Sequence, residues 1–401
     1  MRRSRFAVVA AVVVVLSVSG GVVAAGDQVG AGGHRSASTT GIQSVNCTYP
    51  IEVTDATGQT VTVEQEPQRV VVLGSSAAQV TWAIGAKSKV VGMPVGYATA
   101  YLNGSQNRTN VVNAKLHPVT EKVVAAKPDL VIAPNIIKNK TVENLREKGL
   151  TVVRLAEAKS VDDVAAKTQL IGRLVGAYDK AARVSARTTA TVRAVRQATD
   201  SGSDPGVYYA MGGGYTAGNE TFIGDVIEAA GGDNIATAAG IEAYKPISEE
   251  VVVSEDPEWI VTTSRQLLPK SEAINSTTAI QQDQVLVVDG NYISQPGPRV
   301  TGPLTKMAGA FHPEAAGNLS IDPGSVSVPQ CASDVTPETT NETTPTTSGG
   351  KDTVRITTAA NPTGTRTDDG STDSGSGFGP GFGVVAALLA LVTAGLFLER
   401  R

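Results

Sequence analysis

The chain has 401 residues, a formal net charge of −4 and 41% hydrophobic residues. This mildly acidic composition argues against a nucleic-acid partner, because such partners are bound through clustered basic residues. The central part of the chain is long enough for two domains of ordinary size.

The amino-terminal segment has the features of an export signal. A basic start, Arg2–Arg5, precedes an apolar run, Phe6–Val18, and the small residues Ala24–Ala25 offer a cleavage site. We therefore expect residues 1–25 to be a signal peptide and the rest of the chain to be exported. Residues 26–46 are rich in Gly, Ser, Thr and Ala, which predicts a flexible leader.

The first part of the body, residues 47–158, is predicted to be an N-terminal α/β lobe. Alternating apolar residues on either side of Thr57-Gly58 predict a β-hairpin over Ile51–Val63. Beyond the hairpin, short apolar runs alternate with helical patterns, which is typical of a parallel sheet covered by helices. Strands are predicted at 69–73, 89–92, 129–133 and 151–155, and helices at 77–85, 120–126 and 140–148.

Residues 159–203 are predicted to be linking helices. A capping-box-like start over Ser160–Asp163 is followed by apolar residues spaced three and four apart, which indicates helix. Gly172 and Gly176 predict a break in this helix near Gly176. A second long helix is predicted from Tyr178 to Asp200.

The alternation of strands and helices then restarts and predicts a C-terminal lobe over residues 204–331. Strands are predicted at 206–210, 258–263 and 285–289, and helices at 221–230, 248–254 and 301–309. The predicted fold class is therefore α/β, with two lobes, each a mostly parallel sheet with flanking helices, joined by a long rigid α-helix. A cleft between two lobes is the natural ligand site.

The two cysteines, Cys47 and Cys331, bracket the body. In an oxidising compartment, cysteines placed in this way predict a disulfide that joins the two ends of the folded part. The alternative is a pair of unpaired buried thiols.

The carboxyl-terminal part predicts attachment to a membrane. Residues 332–378 are rich in Thr, Ser and Pro and predict a stalk, because so few apolar residues cannot offset chain entropy. In residues 379–401 a Pro-Gly-Phe motif, Pro380–Phe382, precedes the apolar run Val384–Leu398 and a basic pair, Arg400-Arg401. This order resembles the archaeal PGF C-terminal sorting signal. The resemblance implies removal by an archaeosortase-type enzyme and attachment to a membrane lipid; the alternative is a plain tail anchor.

Glycosylation is expected as well. Eight Asn-X-Ser/Thr sequons suit a surface glycoprotein; they begin at Asn46, Asn103, Asn107, Asn139, Asn219, Asn275, Asn318 and Asn341.

Several body segments, in order and spacing, resemble one transport family. They are Asp55–Gly58 through Pro67–Val71, Trp82–Ala86 with Val90–Gly92, Lys127–Ile132, Gly218–Phe222, Ala230–Asn234, Pro296–Arg299 and His312-Pro313. The chain resembles the ABC-transporter substrate-binding proteins of the helical-backbone class, which deliver iron–siderophore, haem or cobalamin. The resemblance implies a transported metal chelate containing iron or cobalt, ABC permease subunits as partners, and no resident cofactor.

The resemblance also implies roles for individual residues. Docking on the permease is assigned to Glu121 and Glu250, with Glu249 adjacent; the alternative for each is a solvated helix carboxylate. The implied ligand-binding residues are Tyr97, Tyr101, Tyr215, Tyr244, Arg265 and Arg299. For Arg299 the alternative is a structural arginine that ties down the last helix. One departure, Pro134 where cobalamin binders of the family carry tryptophan, argues against cobalamin and leaves siderophore and haem equally open.

Motifs for other chemistry are missing from the sequence. The body has two histidines, His117 and His312, too few for an expected metal site. Gly212–Gly214 lacks a phosphate-binding spacing and predicts a flexible turn. Without a nucleophile elbow, P-loop or zinc-protease motif, the chain is not expected to be an enzyme. A second hypothesis is a cell-surface interaction or adhesion protein that reuses the bilobed fold without transport.

Overall fold

The computed structural model describes residues 44–200, 202–317 and 319–332. The predicted signal peptide, stalk, sorting signal and most of the leader lie outside the described residues. The leader was predicted to be flexible up to residue 46, but Ser44–Val45 form a strand, β1.

The N-terminal lobe begins with the predicted hairpin. Strands β2 (Ile51–Thr54) and β3 (Thr60–Val63) pair antiparallel, with Ile51 opposite Val63. The lobe then forms a five-stranded parallel sheet in the order β6-β5-β4-β7-β8. Its elements are β4 (Val70–Val72), α1 (Ser75–Ala83), β5 (Val90–Met93), β6 (Thr109–Asn110), α2 (Thr120–Ala125), β7 (Leu130–Ala133), α3 (Asn139–Glu147) and β8 (Val152–Arg154).

The central strands of this sheet are buried on both faces. Every residue of β4 and β7 is buried, as expected of runs of valine, isoleucine and leucine in a parallel sheet. Val70 and Ile132 face one apolar core, whereas Val71 and Val131 face the other. This two-sided burial follows from the side-chain alternation of a strand.

Two linking helices, α4 (Val161–Leu174) and α5 (Tyr178–Thr199), connect the lobes. The predicted break is confirmed at Gly176, which has a φ of 68°. Val161 at the start of α4 packs in the core of the C-terminal lobe, whereas Leu174 at its end packs in the core of the N-terminal lobe. Helix α5 runs back, so each lobe is anchored on parts of both helices.

The C-terminal lobe contains a second parallel sheet, in the order β11-β9-β13-β14. Its elements are β9 (Gly206–Ala210), β10 (Tyr215–Ala217), α6 (Phe222–Ala229), β11 (Asp233–Asn234), α7 (Ile235–Ala238), β12 (Tyr244–Pro246), α8 (Glu249–Glu255), β13 (Trp259–Thr262), α9 (Glu272–Asn275), α10 (Thr278–Gln281), β14 (Val285–Val287), α11 (Gly290–Ile293), α12 (Thr301–Phe311) and α13 (Pro313–Ala316). Strands β10 and β12 form an antiparallel pair that was not predicted. The two-lobed α/β fold class is confirmed.

The two ends of the body meet. Strand β1 pairs in parallel with β15 (Gln330–Cys331), and Cys47 is disulfide-bonded to Cys331 with 5.5 Å between their Cα atoms. Within the described residues, no helix combines the length and apolar character needed to cross a bilayer.

Candidate functional site

The candidate site lies where the carboxyl ends of the two parallel sheets meet. Loops at this edge of open α/β sheets are the usual place for a ligand. The linking segment touches the second of these edges: Lys159, between β8 and α4, is 2.9 Å from Glu220 of the C-terminal lobe. The backbone N–H of Val161 donates to Asp225 over 2.7 Å. The linking segment after β8 therefore lies against the C-terminal lobe, and direct contacts between the two lobes come from the network described next.

A hydrogen-bond network joins the two lobes directly. The Tyr101 hydroxyl donates to Gln295 Oε1 over 2.8 Å and accepts from Gln79 Nε2 over 3.0 Å. Gln79 Oε1 accepts from the backbone N–H of Arg299 over 3.0 Å, and Gln295 Nε2 donates to the carbonyl of Ala98 over 2.8 Å. We call the side chains of Gln79, Tyr101 and Gln295 the latch. Gln79 is fully buried and Gln295 is 5% exposed, so water competes little with these bonds.

Arg299 lies beside the latch with an exposed guanidinium. Its charge lies 5.3 Å from the ring centre of Tyr101 and 5.2 Å from that of Tyr292, and Nη1 donates to the Tyr292 hydroxyl over 2.8 Å. Burial raises the pKa of Tyr101 to about 12, so this phenol stays protonated. Two predicted ligand residues, Tyr101 and Arg299, are thus brought together, and Tyr292 is an addition that the sequence did not indicate.

A half-buried lysine, Lys167 of α4, lies close to the same contact. Its Nζ donates to Ser76 Oγ over 2.9 Å and to the carbonyl of Pro296 over 3.1 Å, so it touches α1 and the C-terminal lobe at once. Burial lowers its pKa to about 8. Nothing in the helical pattern distinguished Lys167 from the solvated lysines of the chain.

Two apolar side chains project into solvent from the first-lobe loops. Tyr97, after β5, is 62% exposed, and Ile136, after β7, is 47% exposed. Exposed apolar groups on a cleft rim offer stacking surface to a flat ligand. Tyr97 was predicted, whereas Ile136 was missed because a lone isoleucine in a loop carries no sequence signal.

Tyr215 and Tyr244 occupy the antiparallel pair of the second lobe. Tyr215 stands opposite Pro246 and Tyr244 opposite Ala217, and both tyrosines pack against the core of that lobe. Burial raises the pKa of Tyr244, and the carboxylate of Glu157 from the first lobe adds to this effect. Tyr244 therefore lies near the lobe boundary with most of its ring covered.

Arg265 is held at a different edge. It follows β13, but its guanidinium reaches Asp283 Oδ1 over 3.1 Å and the carbonyl of Val285 over 3.4 Å. Asp283 precedes β14, so this contact is at the amino end of that strand. The predicted ligand role of Arg265 stays a prediction, and the observed contact places its charge away from the other candidates.

The two predicted docking carboxylates lie on one helix of each lobe. Glu121 is in the first turn of α2 and Glu250 in the first turn of α8, and both are exposed. The hydroxyl of Ser248 caps α8 by accepting from the N–H of Val251 over 3.3 Å. Neither carboxylate pairs with a cation among the described residues.

The two histidines of the body have separate surroundings. His312 Nε2 lies 2.7 Å from the carbonyl oxygen of Gly231 and 3.8 Å from Asp204. His117 is exposed in the loop before α2. Within the described residues, no group of three or more His, Cys, Asp or Glu side chains could hold a metal ion.

Two parallel sheets with apposed carboxyl edges and a helical connection define a bilobed ligand-binding protein. The chain belongs to the periplasmic binding protein family, whose profile matches residues 70–292. A cobalamin-binding protein of Halobacterium salinarum is 42% identical over 280 residues, which cover 66% of this chain and 75% of that protein. An uncharacterised ABC transporter substrate-binding lipoprotein of Bacillus subtilis is 24% identical over 285 residues, covering 66% of this chain and 87% of that protein.

Solved structures agree with this fold. The apo periplasmic haem-binding protein from Roseiflexus has a TM-score of 0.56 and 26% identity, covering 62% of this chain and 99% of that chain. The periplasmic vitamin B12 binding protein of Vibrio cholerae has a TM-score of 0.54 and 20% identity, covering 63% of this chain and 99% of that chain. The second likeness concerns the fold alone.

Proposed function

We propose that this protein is the exported receptor of an ABC importer and binds a corrinoid, such as cobalamin, between its lobes. The observation that carries the proposal is the 42% identity over 280 residues to a protein named for cobalamin binding. Haem is the second candidate, because a haem-binding structure shares 26% identity over almost all of its length.

The missing tryptophan at Pro134 counts less against cobalamin than the sequence alone suggests. Pro134 is buried, and its Cγ would lie only 2.5 Å from a Cβ built on Gly74. It therefore packs under the rim instead of projecting from it. Tyr97 and Ile136 supply exposed apolar surface on the same edge. Apolar contacts for a ligand therefore remain without a tryptophan at position 134.

The residue roles follow from exposure and charge. Tyr97 would stack on the flat ring system of the ligand. The exposed guanidinium of Arg299 would pair with the phosphodiester of cobalamin or a propionate of haem, since guanidinium groups bind both oxyanions in bidentate fashion. Tyr215 and Tyr244 would form the second-lobe wall. Arg265 would contribute only if its contact with Asp283 opened.

Calorimetric titration of the full-length protein with cyanocobalamin, haemin and ferrioxamine tests the ligand assignment. We expect cyanocobalamin to bind most tightly and Tyr97→Ala to weaken that binding by about tenfold, the loss of one good contact of about 1.4 kcal/mol. Tighter binding of haemin or ferrioxamine would overturn the corrinoid assignment. The adhesion hypothesis would be favoured by two results together. The purified protein would bind none of the three ligands, and cells that lack the protein would take up all three as well as the wild type does.

We propose further that Glu121 and Glu250 dock on the permease. Charge reversal at both positions, Glu121→Lys with Glu250→Lys, should abolish corrinoid uptake by cells while ligand affinity stays unchanged. The matched control is Glu143→Lys with Glu258→Lys, which reverses one exposed carboxylate on each lobe elsewhere. Uptake that survives the first pair, or binding that is lost with it, would contradict the docking assignment.

Export and tethering complete the proposal. The support is the order of motifs at the two termini, together with a relative that is named as a lipoprotein. Mass spectrometry of the mature protein should find cleavage near Ala25 and loss of the segment beyond the Pro-Gly-Phe motif. An intact carboxyl terminus in the mature protein would favour a plain tail anchor.

A further inference from the structure

The C-terminal lobe contains a cavity of about 350 Å³ at the carboxyl edge of its sheet. Its walls come from the segments that directly follow β9 and β13 and from the start of α8. Most of the lining is apolar, with side chains from Met211, Ile247, Val252, Leu267, Leu268 and Ile274. The cavity therefore lies at the same edge as the cleft but within one lobe.

Three polar side chains, those of Tyr208, Glu249 and Gln266, line the cavity beside these apolar residues. The Tyr208 side chain is 1% exposed, yet its hydroxyl makes no hydrogen bond with any of the described residues. Glu249 is an exposed residue whose side chain lines the cavity and pairs with no cation in the described part of the chain. A polar group that lines a cavity without such a partner is available to a ligand.

Tyr208 and Glu249 have complementary hydrogen-bonding capacity. Burial and the nearby Glu249 carboxylate raise the pKa of Tyr208 to about 12, so the hydroxyl keeps its proton and donates. A carboxylate accepts hydrogen bonds but has none to donate. The pair therefore suits a neutral group with both an acceptor and a donor, which a primary amide supplies with its carbonyl and its NH₂.

A wall built of glycine leaves room for a bulky ligand next to the cavity. Gly212, Gly213 and Gly214 have φ values of 87°, 60° and 76°, a backbone conformation that favours glycine. A Cβ on Gly212 would lie 2.9 Å from Leu267 Cδ2, whereas one on Gly213 would have no atom within 4 Å. The turn thus presents bare backbone to the cavity side and open space at its tip.

We propose that this cavity is a subsite for an amide-bearing arm of the transported ligand. The methylenes of the arm pack against the apolar lining, its NH₂ donates to Glu249, and its carbonyl accepts from Tyr208. The inference rests on the proposed function, because a corrinoid carries acetamide and propionamide arms around its rim. It makes Glu249 a specificity residue that rejects ligands in which the amide has become a carboxylate.

The test compares cyanocobalamin with its monocarboxylic acids, in each of which one propionamide is hydrolysed. With the full-length protein we expect at least one monoacid to bind tenfold or more weakly than cyanocobalamin, because two carboxylates would share the cavity. Glu249→Gln should bring that monoacid to within about threefold of cyanocobalamin. Glu255→Gln, an exposed carboxylate at the other end of α8, is the matched control and should leave the discrimination intact.

Tyr208→Phe provides an independent measurement. Because the hydroxyl makes no hydrogen bond with the described residues, its removal should leave the melting temperature of the free protein unchanged or slightly raised while cyanocobalamin affinity falls several-fold. Equal binding of all the monoacids, or discrimination that persists in Glu249→Gln, would overturn the subsite while leaving the corrinoid function standing. Failure of cyanocobalamin itself to bind would overturn both.

Discussion

Asp55 shows how one carboxylate fixes the entry of the chain into the first lobe. It accepts from the backbone N–H groups of Thr57 and Arg154, each over 2.8 Å, and forms an ion pair with Arg146 at 2.5 Å. The carboxylate is fully buried, so removing it leaves Arg146 partly buried and without its counter-charge. We expect Asp55→Ala to lower the free energy of unfolding by about 3 kcal/mol, measured by urea denaturation. Glu64→Ala, at an exposed position, should change it little.

The same carboxylate predicts a contribution to acid denaturation. Burial alone would raise the pKa of Asp55, but hydrogen bonds from Thr57, Arg154 and Arg146 lower it below the ordinary value. Its stabilisation is therefore fully present above the unfolded-state pKa and is lost as the pH falls through the folded-state pKa. Asp55→Asn should flatten the stability profile below about pH 4. An unchanged acid limb in this variant would contradict the role of Asp55.

At the scale of single elements, the contact between α4 and α5 depends on a small residue. A Cβ on Gly172 would lie 2.2 Å from the Cβ of Ala181, closer than packed atoms allow. We expect Gly172→Ala to force the helices apart and to lower the free energy of unfolding by about 1–3 kcal/mol, measured by thermal and urea denaturation.

Gly309 of α12 provides the matched control for this prediction. A Cβ there would meet only Ala316 Cβ at 4.0 Å, which is ordinary contact. Gly309→Ala should therefore be neutral or stabilising by about 0.5–1 kcal/mol, because alanine favours helix over glycine. Equal destabilisation by both substitutions would mean that helix packing at Gly172 is not the cause.

The sequence predicted long, regular elements well and short, irregular ones poorly. The prediction for β9 matches its observed bounds, and that for α5, which has a clear apolar period, differs by one residue. Strands β10 and β12 were missed because one follows three glycines and the other contains proline, signals that normally indicate turns. Their pairing joins segments almost 30 residues apart, which no local pattern encodes.

Site residues could be predicted only in part, for a related reason. Tyrosines and arginines stand out as candidate ligand contacts, and Tyr101 with Arg299 do lie together. The glutamines beside them did not stand out, because Gln79 and Gln295 resemble ordinary polar residues in a sequence. Their importance comes from burial and from partners about 200 positions away, which only the assembled fold supplies.

At the scale of the whole molecule, the latch and the linking helices predict a small movement on ligand binding. Tyr101→Phe removes the hydroxyl between two buried amides, so we expect the lobes to separate more easily. Small-angle scattering of the wild type should differ little between free and ligand-bound protein, whereas the variant should be more extended when free. A wide domain swing in the wild type would contradict this prediction.

Tyr178→Phe is the control for the latch variant. It also removes a tyrosine hydroxyl that donates to a carbonyl, that of Pro329 over 2.8 Å, but this contact lies outside the cleft. The control should therefore lose a comparable amount of stability without a change in the free-state scattering profile. An expanded profile in both variants would indicate general loosening instead of release of the latch.

The bond between Cys47 and Cys331 has a mechanical consequence. It closes a covalent loop around a separation of 284 residues, and the chain enters and leaves that loop at one point. A pulling force applied between residues 46 and 332 is carried through the disulfide and bypasses both sheets, the linking helices and the cleft. Tension between the two ends of the chain would thus leave the ligand-binding body unloaded.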